Sequence, residues 1–295
     1  MTTPKIGFIG LGSMGKPMVR NLAKAGFTLA VYDTNPEAAK QLHDEHIQAV
    51  DTPAQVARQS SVIITMLPTS SIVQDVLTGP DGVFTGMQQD TVIIEMSSGV
   101  PTVTRSLAEQ AQKLGAQLVD APVSGGVSRA ETGQLSIMFG GSQEILDKVE
   151  PILNAMGSSV ARTGDVGTAH AMKALNNLVS AGGFLIGIEA ILLGKRFGLD
   201  PEVMVDILNE STGMNNSTQK KFRQFVLSGK YNAGFGLALM VKDLGIALGL
   251  DDDHTAEFSQ LCLKVWSAAE QTQGKGADHT ELARHVSLRI GVPLT

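Results

Sequence analysis

The chain is 295 residues long, with 43% hydrophobic residues, 18% charged residues and a formal net charge of −6. This length allows two domains with a sizeable core, and the absence of a basic stripe argues against nucleic acid as a partner. A single cysteine, Cys262, excludes a disulfide within these residues and leaves too few thiols for a structural zinc site. Because the first apolar run starts about five residues from Met1, we expect no targeting peptide and a cytoplasmic location.

The first predicted element is a short apolar strand that leads directly into a glycine-rich loop. The run Ile6 to Ile9 precedes three glycines in the spacing G-x-G-x-x-G, and the helical segment Lys16–Lys24 follows them. In such a loop the first glycine forms a tight turn, the second lets the backbone approach a pyrophosphate, and the third lets the helix pack on the strand. The phosphates are then held at the helix N-terminus, where the dipole favours negative charge. This order predicts a dinucleotide site formed by Gly10, Leu11, Gly12, Ser13, Met14 and Gly15.

The second predicted strand, Thr28–Tyr32, ends in a carboxylate. Asp33 follows it at about the 20-residue spacing at which dinucleotide-binding folds place a carboxylate on the adenosine ribose. The same charge repels a 2′-phosphate, and the next residues, Thr34 and Asn35, offer no cation to offset it. The pattern predicts NAD as the cofactor in preference to NADP. The alternative is an ordinary surface aspartate beside a glycine turn.

The chain up to residue 164 alternates short apolar runs with helical patterns, which predicts a parallel sheet with helices on both faces. The further predicted strands are Ser61–Met66, Thr91–Glu95, Gln117–Asp120, Leu135–Phe139 and Ser159–Arg162. The predicted helices among them are Pro36–His43, Ser70–Leu77, Thr102–Leu114 and a helix that runs from its N-cap Ser142 to Leu153. Residues 1–164 are therefore predicted to form an α/β Rossmann-type dinucleotide-binding domain.

Beyond residue 164 the pattern becomes helical throughout. No proline interrupts Thr168–Phe197, which predicts one long interdomain helix that ends at Gly198 in a left-handed cap. The helices predicted after it are Pro201–Asn209, Lys220–Leu227, Gly236–Leu250, Ala256–Thr272 and Thr280–Arg289. Residues 165–295 are therefore predicted to form an all-α C-terminal domain joined to the first by this helix. A cleft between the two domains is the expected active site.

Part of the long helix, Leu178 to Gly194, is apolar enough to raise the question of a membrane span. It includes Glu189 together with several Gly and Ser residues, and it falls short of about 20 clean apolar residues. We therefore interpret it as a buried helix.

The segment after the predicted strand Gln117–Asp120 combines a hydroxyl with two glycines. Ser124 supplies the hydroxyl, and Gly125 and Gly126 expose backbone amides at the carboxyl edge of the predicted sheet. That combination suits a small carboxylate or an alcohol held beside a nicotinamide. The alternative is a glycine turn that leads into the next strand.

Near its start the long helix carries three polar residues. Spacings of three and four place Lys173, Asn176 and Asn177 on nearly one face, and such groups in an apolar helix are costly unless they have partners. Lys173 is a candidate proton donor for a carbonyl that receives hydride, since desolvation can lower the pKa of an ammonium towards neutrality. The pair Lys242-Asp243 lies on a later helix, and on most helices such a pair would be an ordinary surface feature.

Taken together, these segments resemble those of the β-hydroxyacid dehydrogenases, a family that includes 3-hydroxyisobutyrate dehydrogenase, tartronate semialdehyde reductase and L-threonate dehydrogenase. The resemblance covers essentially the whole chain. It rests on motifs in a fixed order: Gly10-Leu-Gly-Ser-Met-Gly15, Met66-Leu-Pro68, Glu95-Met-Ser-Ser98, Asp120-Ala-Pro-Val-Ser-Gly-Gly126, Gly164 to Asn177 and Lys242-Asp243-Leu244. The Ser-Gly-Gly and Lys-x-x-Asn-Asn segments are specific.

The resemblance implies a role for each of these segments. Lys173 would be the catalytic acid/base, and Asn177 would orient the substrate. Lys242 would reach the substrate and the cofactor from the helical domain, whereas Asp243 would be structural. The substrate carboxylate would be held by Ser124, Gly125 and Gly126. The cofactor would be contacted along the sheet edge by Leu67, Pro68 and Ser98.

Some positions depart from the family pattern and leave the substrate open. Arg129 stands where many relatives have glycine, and it either binds a second anionic or hydroxylated group of a larger substrate or lies in solvent. Ala169 and His170 replace a more usual Gly-Gln or Gly-Asn pair. His170, one turn before Lys173, either touches the nicotinamide or tunes the lysine, or it has no chemical role.

The sequence thus predicts an NAD-dependent oxidoreductase that interconverts a small 3-hydroxy acid, such as 3-hydroxyisobutyrate, glycerate or threonate, and its aldehyde or ketone. One alternative is imine reduction on the same scaffold, although relatives with that activity tend to lose the lysine. The other is a non-catalytic NAD-binding protein, which would not need the polar groups of Lys173, Asn177 and Ser124. The apolar stretch Leu178 to Leu193 predicts self-association, and the resemblance implies a homodimer or homotetramer. No metal, membrane or nucleic-acid partner is predicted.

Overall fold

The structure of the protein is a computed structural model that describes residues 5–42, 44–274 and 276–294. The chain divides into two compact units, Met1–Lys173 and Ala174–Thr295. The domain boundary predicted between residues 164 and 165 stays a prediction. The outer ends of the two predicted domains, residues 1 and 295, lie outside the described residues.

The first unit contains a mostly parallel sheet. Its strands are β1 (Ile6–Ile9), β2 (Leu29–Tyr32), β3 (Ile47–Ala49), β4 (Val62–Thr65), β5 (Val92–Glu95), β6 (Gln117–Asp120), β7 (Val123–Ser124), β8 (Leu135–Gly140) and β9 (Gly157–Gly164). They lie in the order β3-β2-β1-β4-β5-β6-β8-β7, with β9 paired to β8. Neighbours from β3 to β6 are parallel, whereas β8 runs antiparallel to β6 and β7. The carboxyl ends of β1, β2, β4, β5 and β6 therefore meet at one edge of the sheet, where doubly wound folds bind their ligands.

The helices of this unit connect the strands. They are α1 (Gly15–Lys24), α2 (Pro36–Lys40), α3 (Pro53–Arg58), α4 (Ser70–Thr78), α5 (Val83–Gly86), α6 (Pro101–Lys113), α7 (Gly126–Glu131) and α8 (Gln143–Asn154). The predicted N-cap of α8 is confirmed, since the Ser142 hydroxyl accepts a hydrogen bond from the backbone N–H of Ile145. Such a cap satisfies a backbone amide that has no partner within the helix.

Alternate residues of the central strands pack into separate apolar cores, one on each face of the sheet. Ile63 and Ile93 belong to one core, and their neighbours Ile64 and Ile94 belong to the other. Successive side chains of a strand point to opposite faces, so both faces of this sheet are buried. The predicted Rossmann-type architecture of the first unit is confirmed.

The second unit is helical. Its long helix α9 (Thr168–Phe197) starts in the first unit and has the predicted bounds, and Gly198 after it has a φ of +107°. The rest consists of α10 (Pro201–Asn209), α11 (Asn216–Lys220), a π-helical segment (Phe222–Leu227), α12 (Leu237–Leu248), α13 (Glu257–Gln273), a 3₁₀ turn (His279–Glu281) and α14 (Leu282–Ile290). Their common core includes the buried rings of Phe184, Phe222 and Trp266.

Several short elements lie outside the sequence predictions: β3, β7, α3, α5 and α7. None is longer than six residues, which is too short for a helical or strand periodicity to stand out. The predicted helix Lys220–Leu227 is wrong at its start, because Asn215 caps a helix that begins at Asn216 and gives way to the π-helical segment. The predicted helix end at His43 lies outside the described residues, and α2 ends at Lys40.

The helix α9 is long and apolar enough, by length and composition, to cross a membrane. Half of its most apolar stretch is buried inside the protein, and Phe184 and Ile188 on that side belong to the core of the second unit. The core helix of a soluble protein meets the same criteria, which agrees with the interpretation of this stretch as a buried helix.

Candidate active site

The glycine-rich loop has the geometry that a dinucleotide site requires. Gly10 has a φ of +102°, and a Cβ there would overlap the carbonyl oxygen of Met66. A Cβ on Gly15 would overlap the carbonyl oxygen of Gly10, so α1 packs this closely only because residue 15 is glycine. A Cβ on Gly12 would meet nothing within 4 Å, which leaves the backbone there open to a ligand. Because α1 starts without a side-chain cap, the positive end of its dipole is available to a phosphate.

Asp33, directly after β2, is hydrogen-bonded to the backbone of this loop. Its Oδ2 accepts a hydrogen bond from the N–H of Leu11 at 2.6 Å, and its Oδ1 accepts one from the N–H of Asn35 at 2.8 Å. Each carboxylate oxygen can accept a further hydrogen bond, so ribose hydroxyls can share the same group. The residues present therefore fit a nicotinamide dinucleotide, and the preference for NAD over NADP stays a prediction.

The other predicted cofactor residues of this unit lie at the same sheet edge. Leu67 and Pro68 follow β4, and Ser98 follows β5, both of which run parallel to β1. The loop after β4 is tied to the loop after β5, because the N–H of Leu67 donates to the Ser97 hydroxyl at 2.8 Å. The structure thus brings together Gly10, Leu11, Gly12, Ser13, Met14, Gly15, Asp33, Leu67, Pro68 and Ser98.

The Ser-Gly-Gly segment starts from this edge as well. Ser124 ends β7, and Gly125 and Gly126, with φ values of +132° and +69°, lead into α7. The short helix α7 thus lies between these glycines and the next strand, β8. Arg129 on α7 is exposed, and the stem of its side chain packs over Gly125.

A buried carboxylate fixes the start of α9. The Oδ1 of Asp120 accepts a hydrogen bond from the N–H of Gly167 at 2.7 Å, and its Oδ2 accepts one from the N–H of His170 at 2.8 Å. Asp120 thereby satisfies two amides at the helix N-terminus and places a carboxylate at the positive end of the dipole. Because Lys173 lies one turn further along, this cap fixes the turn that carries the lysine.

His170 is buried and has partners on both ring nitrogens. Its Nε2 lies 2.9 Å from Oε2 of Glu95 and 3.1 Å from the carbonyl oxygen of Ser97. Its Nδ1 lies 2.8 Å from the hydroxyl of Thr104, which itself donates to the carbonyl oxygen of Val100 at 3.1 Å. With the Thr104 hydroxyl donating to Val100, both ring nitrogens face acceptors, which favours the protonated imidazolium.

The electrostatics of the cluster agree with this protonation state. Burial lowers the pKa of His170, but the Glu95 and Asp120 carboxylates outweigh it and hold that pKa above its ordinary 6.5. Burial raises the pKa of Glu95, but the charge and hydrogen bond of His170 and the hydrogen bonds of Ser97 bring it below its ordinary value. At Asp120 the effect of burial exceeds that of the His170 charge and of the backbone hydrogen bonds, so the pKa of Asp120 is raised. Since the His170 side chain is fully enclosed in this cluster, the alternative in which it touches a nicotinamide is not supported.

Asn177, one turn after Lys173, is buried with its side-chain amide fixed. Its Nδ2 donates to Oδ2 of Asp243 at 2.5 Å, and its Oδ1 accepts from Nδ2 of Asn176 at 3.2 Å. On α12, the Nζ of Lys242 lies 3.5 Å from Oδ1 of the same Asp243. The second unit therefore brings Asn177, Asp243 and Lys242 together, while Lys173 is half-buried near the start of α9.

Sequence reasoning missed the residues that hold these groups in place. Glu95, Thr104 and Asp120 enclose His170, and no role was predicted for any of them. The available signal was that Glu95 and Asp120 each end an otherwise apolar, buried strand, because a buried carboxylate needs a partner. The partner itself was not readable, since His170 is far from both carboxylates along the chain.

Both parts of the chain match models of known protein families. Residues 5–164 match the family model of the NAD binding domain of 6-phosphogluconate dehydrogenase, and residues 167–286 match that of the NAD-binding domain of NADP-dependent 3-hydroxyisobutyrate dehydrogenase. The chain is 41% identical over 244 residues to 2-(hydroxymethyl)glutarate dehydrogenase of Eubacterium barkeri, across 83% of this chain and 81% of that protein. It is 40% identical over 264 residues to human mitochondrial 3-hydroxyisobutyrate dehydrogenase, across 88% of this chain and 78% of that protein.

A solved structure of similar fold is 3-hydroxyisobutyrate dehydrogenase of Mycobacterium tuberculosis with L-serine. It has a TM-score of 0.89 and 28% identity, and the match covers 97% of this chain and 99% of that chain. The fold and the glycine-rich loop define an oxidoreductase that uses a nicotinamide dinucleotide. With the sequence matches added, the chain belongs to the β-hydroxyacid dehydrogenase family, and its reaction is the oxidoreduction of a hydroxy acid.

Proposed function

We propose that the protein is an NAD-dependent dehydrogenase that interconverts a small 3-hydroxy acid and its aldehyde or ketone, with Lys173 as the acid/base. The observation that supports this most directly is the polar turn of α9, in which Lys173 precedes a buried and oriented Asn177. Asp243 and Asn176 hold the Asn177 side-chain amide in one orientation, as a residue that positions a substrate hydroxyl requires.

In this proposal Asn177 orients the substrate hydroxyl. One of its two amide hydrogens is donated to Asp243, so the second can be donated to the substrate. NAD, held by the glycine-rich loop and Asp33, would supply the hydride acceptor for the alcohol carbon. Lys173 takes the hydroxyl proton during oxidation and returns it during reduction. The substrate carboxylate is held by the Ser-Gly-Gly segment and a lysine of α12: Ser124, Gly125, Gly126 and Lys242.

The proposed substrate class is a 2-substituted 3-hydroxypropanoate. The ligands in the names of the relatives belong to it: 3-hydroxyisobutyrate carries a methyl group on C2, 2-(hydroxymethyl)glutarate a carboxyethyl group and L-serine an amino group. Glycerate, with a hydroxyl on C2, fits the same description. All of them share the carboxylate and the hydroxymethyl group that the proposed residues hold, so the C2 substituent decides which acid is preferred.

The test is the substitution Lys173→Ala. It is expected to lower kcat by roughly 10²–10⁴ because the general acid–base group is lost. NAD affinity, measured by fluorescence titration, is expected to change by less than about threefold.

Lys195→Ala is the matched control on the same helix, since the Nζ of Lys195 bonds the carbonyl oxygen of Leu294 near the C-terminus. It is expected to leave kcat unchanged. If Lys173→Ala keeps more than about a tenth of wild-type turnover, Lys173 is structural and the mechanism needs another base. Reduction of cyclic imines in preference to oxidation of any hydroxy acid would favour the imine alternative.

A further inference from the structure

Lys221 is a second lysine of the helical unit, and the sequence patterns assign it no role. It lies at the junction between α11 and the π-helical segment, with φ −124° and ψ −46°, outside both helices. Its Nζ donates to the hydroxyl of Ser180 at 3.2 Å and lies 5.4 Å from the centre of the Phe184 ring. Junctions into π-helical turns are frequent at functional sites, because they re-aim one side chain out of the regular helix.

The ammonium of Lys221 has little negative charge near it within its own unit. In the described part of the chain no carboxylate lies within ion-pair distance of its Nζ. Asp278 acts on it only from farther away, and that carboxylate is already bonded to the N–H groups of Gly234 and Thr280. Burial lowers the pKa of Lys221 to about 8, against the raising effect of Asp278. At neutral pH the ammonium is therefore the main form.

The ammonium lies beside the substrate-binding turn of α9. Ser180, its hydrogen-bond partner, is three residues after Asn177 on the same helix, and residues so spaced have Cβ atoms about 5–6 Å apart. An ammonium has three donors, and Ser180 accepts one of them. The Lys221 ammonium, which has further N–H donors besides the one that Ser180 accepts, thus lies one helical turn beyond the Asn177 amide that is proposed to orient the substrate hydroxyl.

We propose that Lys221 binds an anionic substituent on C2 of the hydroxy acid, so that the preferred substrate is a dicarboxylate. The inference rests on the proposed function in one respect, namely that Asn177 faces the substrate hydroxyl. A carboxylate at this place completes an ion pair that the unit itself does not provide, and charge-assisted hydrogen bonds are about twice as strong as neutral ones. A methyl group there would leave the ammonium unmatched, and a hydroxyl would offer only a neutral acceptor.

The kinetic test compares three acids that differ only at C2: 3-hydroxyisobutyrate, glycerate and 2-(hydroxymethyl)glutarate. The wild-type protein is expected to give the highest kcat/KM with the dicarboxylate. Lys221→Met keeps most of the length of the side chain and removes its charge. It is expected to lower that value by about 10- to 100-fold while changing the methyl-bearing acid by less than about threefold. Lys221→Arg is expected to retain much of the preference, and Lys220→Met, an exposed neighbour, all of it.

Two kinetic results overturn the proposal. An unchanged order of the three acids in Lys221→Met shows that the ammonium does not touch the C2 substituent. An equal loss on all three acids, in a variant whose melting temperature is unchanged, shows that Lys221 acts on the common part of the substrate.

A binding measurement separates this proposal from the dehydrogenase activity. Thermal shifts of the NAD-loaded protein are recorded with glutarate and with pentanoate, two five-carbon acids of which only the first has a second carboxylate. Stabilisation by glutarate beyond that by pentanoate, lost in Lys221→Met and kept in Lys220→Met, supports the anion site even if no hydroxy acid is oxidised. Equal shifts with the two acids overturn it, whatever the turnover assay gives.

Discussion

Asp33 is hydrogen-bonded to the glycine-rich loop, and we propose that it also binds the adenosine ribose of the cofactor. Its two oxygens accept hydrogen bonds from the N–H groups of Leu11 and Asn35, which fix the orientation of the carboxylate. A 2′-phosphate would add about two negative charges beside this group. Thr34 and Asn35 are exposed and neutral, so no adjacent cation offsets the repulsion.

We therefore expect NAD to exceed NADP in kcat/KM by at least about tenfold, or about 1.4 kcal/mol. The double substitution Asp33→Ala with Thr34→Arg is expected to narrow or reverse this ratio. Asp33→Asn is the control for the loop, since its amide oxygen still accepts from Leu11 while the charge is gone. Steady-state kinetics with both cofactors decide the point, and equal use of them by the wild-type protein would contradict the role given to Asp33.

The sequence leaves two interpretations of Arg129, contact with a second group of the substrate or exposure to solvent, and they make different predictions. Its side chain is exposed, and its stem covers Gly125, one of the residues proposed to hold the substrate carboxylate. If its guanidinium also contacts the substrate, Arg129→Gly is expected to weaken glycerate relative to 3-hydroxyisobutyrate by roughly 1–3 kcal/mol in kcat/KM. Arg129→Lys keeps the charge without the planar donor fork and is expected to recover part of the loss. A change that scales both acids alike would place Arg129 in solvent.

At the scale of elements, the first turn of α9 depends on side chains from β5, β6 and α6. Asp120 caps the helix, and the imidazolium of His170 joins the turn to Glu95 and Thr104. Gly99 makes room for this contact, since a Cβ there would lie 2.7 Å from Cε1 of His170. The turn that carries Lys173 is thus fixed by the sheet rather than by helix propensity alone.

This cluster predicts a pH dependence of stability. The folded-state pKa of His170 lies above its ordinary 6.5, so its contribution to folding is complete below that value and is lost as the pH rises through the folded-state pKa. The free energy of unfolding of the wild type should therefore exceed that of His170→Gln by more at about pH 6 than at about pH 8. Urea unfolding at both pH values measures this difference.

His46→Gln, which changes a partly exposed histidine, is the control and should show no such dependence. Glu95→Gln removes the buried counter-charge and is expected to cost about 3–5 kcal/mol near neutral pH. A difference between wild type and His170→Gln that is the same at both pH values, or larger at the higher one, would mean that His170 is neutral in the folded protein.

The elements that the sequence predicted well are those with local signals. The bounds of α9 followed from a proline-free apolar stretch that ends at Gly198. The predicted bounds of α10 agree with the structure, in which Asp200 caps the helix. In contrast, β7 and α7 are too short for periodicity, and the π-helical segment differs from an α-helix only in its hydrogen-bond spacing. These features depend on tertiary packing and could not be read locally.

The residues of the candidate site also divide into those that local motifs predicted and those that only the fold brings together. The glycine loop, Asp33 and the Lys-x-x-Asn-Asn segment were predicted because motif and spacing carry their chemistry. The Glu95–His170 contact joins residues on β5 and α9, and the hydrogen bond of Lys221 to Ser180 joins α9 to the start of the π-helical segment. Contacts between such distant residues need the fold before they can be seen.

At the scale of the whole molecule, the outward side of α9 predicts self-association. Val179 and Phe197 are 76% and 87% exposed, and Ile186 and Leu193 lie between them at a spacing typical of helix–helix contacts. The family resemblance implies a homodimer or homotetramer, which stays a prediction. A cytoplasmic location also stays a prediction.

Val179→Lys combined with Ile186→Lys is expected to shift the protein to a smaller species in size-exclusion chromatography with light scattering, because two ammonium groups would have to be buried in the contact. Leu288→Lys, on the 79% exposed Leu288 of α14, is the control and should leave the mass unchanged. A monomeric wild-type protein, or an oligomer insensitive to the double substitution, would exclude this face as the contact.

The proposed function depends on hydride transfer from the 3-position of a small hydroxy acid to NAD. NAD reduction by the wild-type protein, measured with 3-hydroxypropanoates and with 2-hydroxy isomers such as lactate, tests this step. We expect a kcat/KM at least about 10²-fold higher for the 3-hydroxy acids, because a reacting carbon displaced by one bond loses its alignment with the cofactor and with Lys173. A protein that binds NAD but reduces it with no 3-hydroxy acid, or that prefers the 2-hydroxy isomers, would not be the dehydrogenase proposed above.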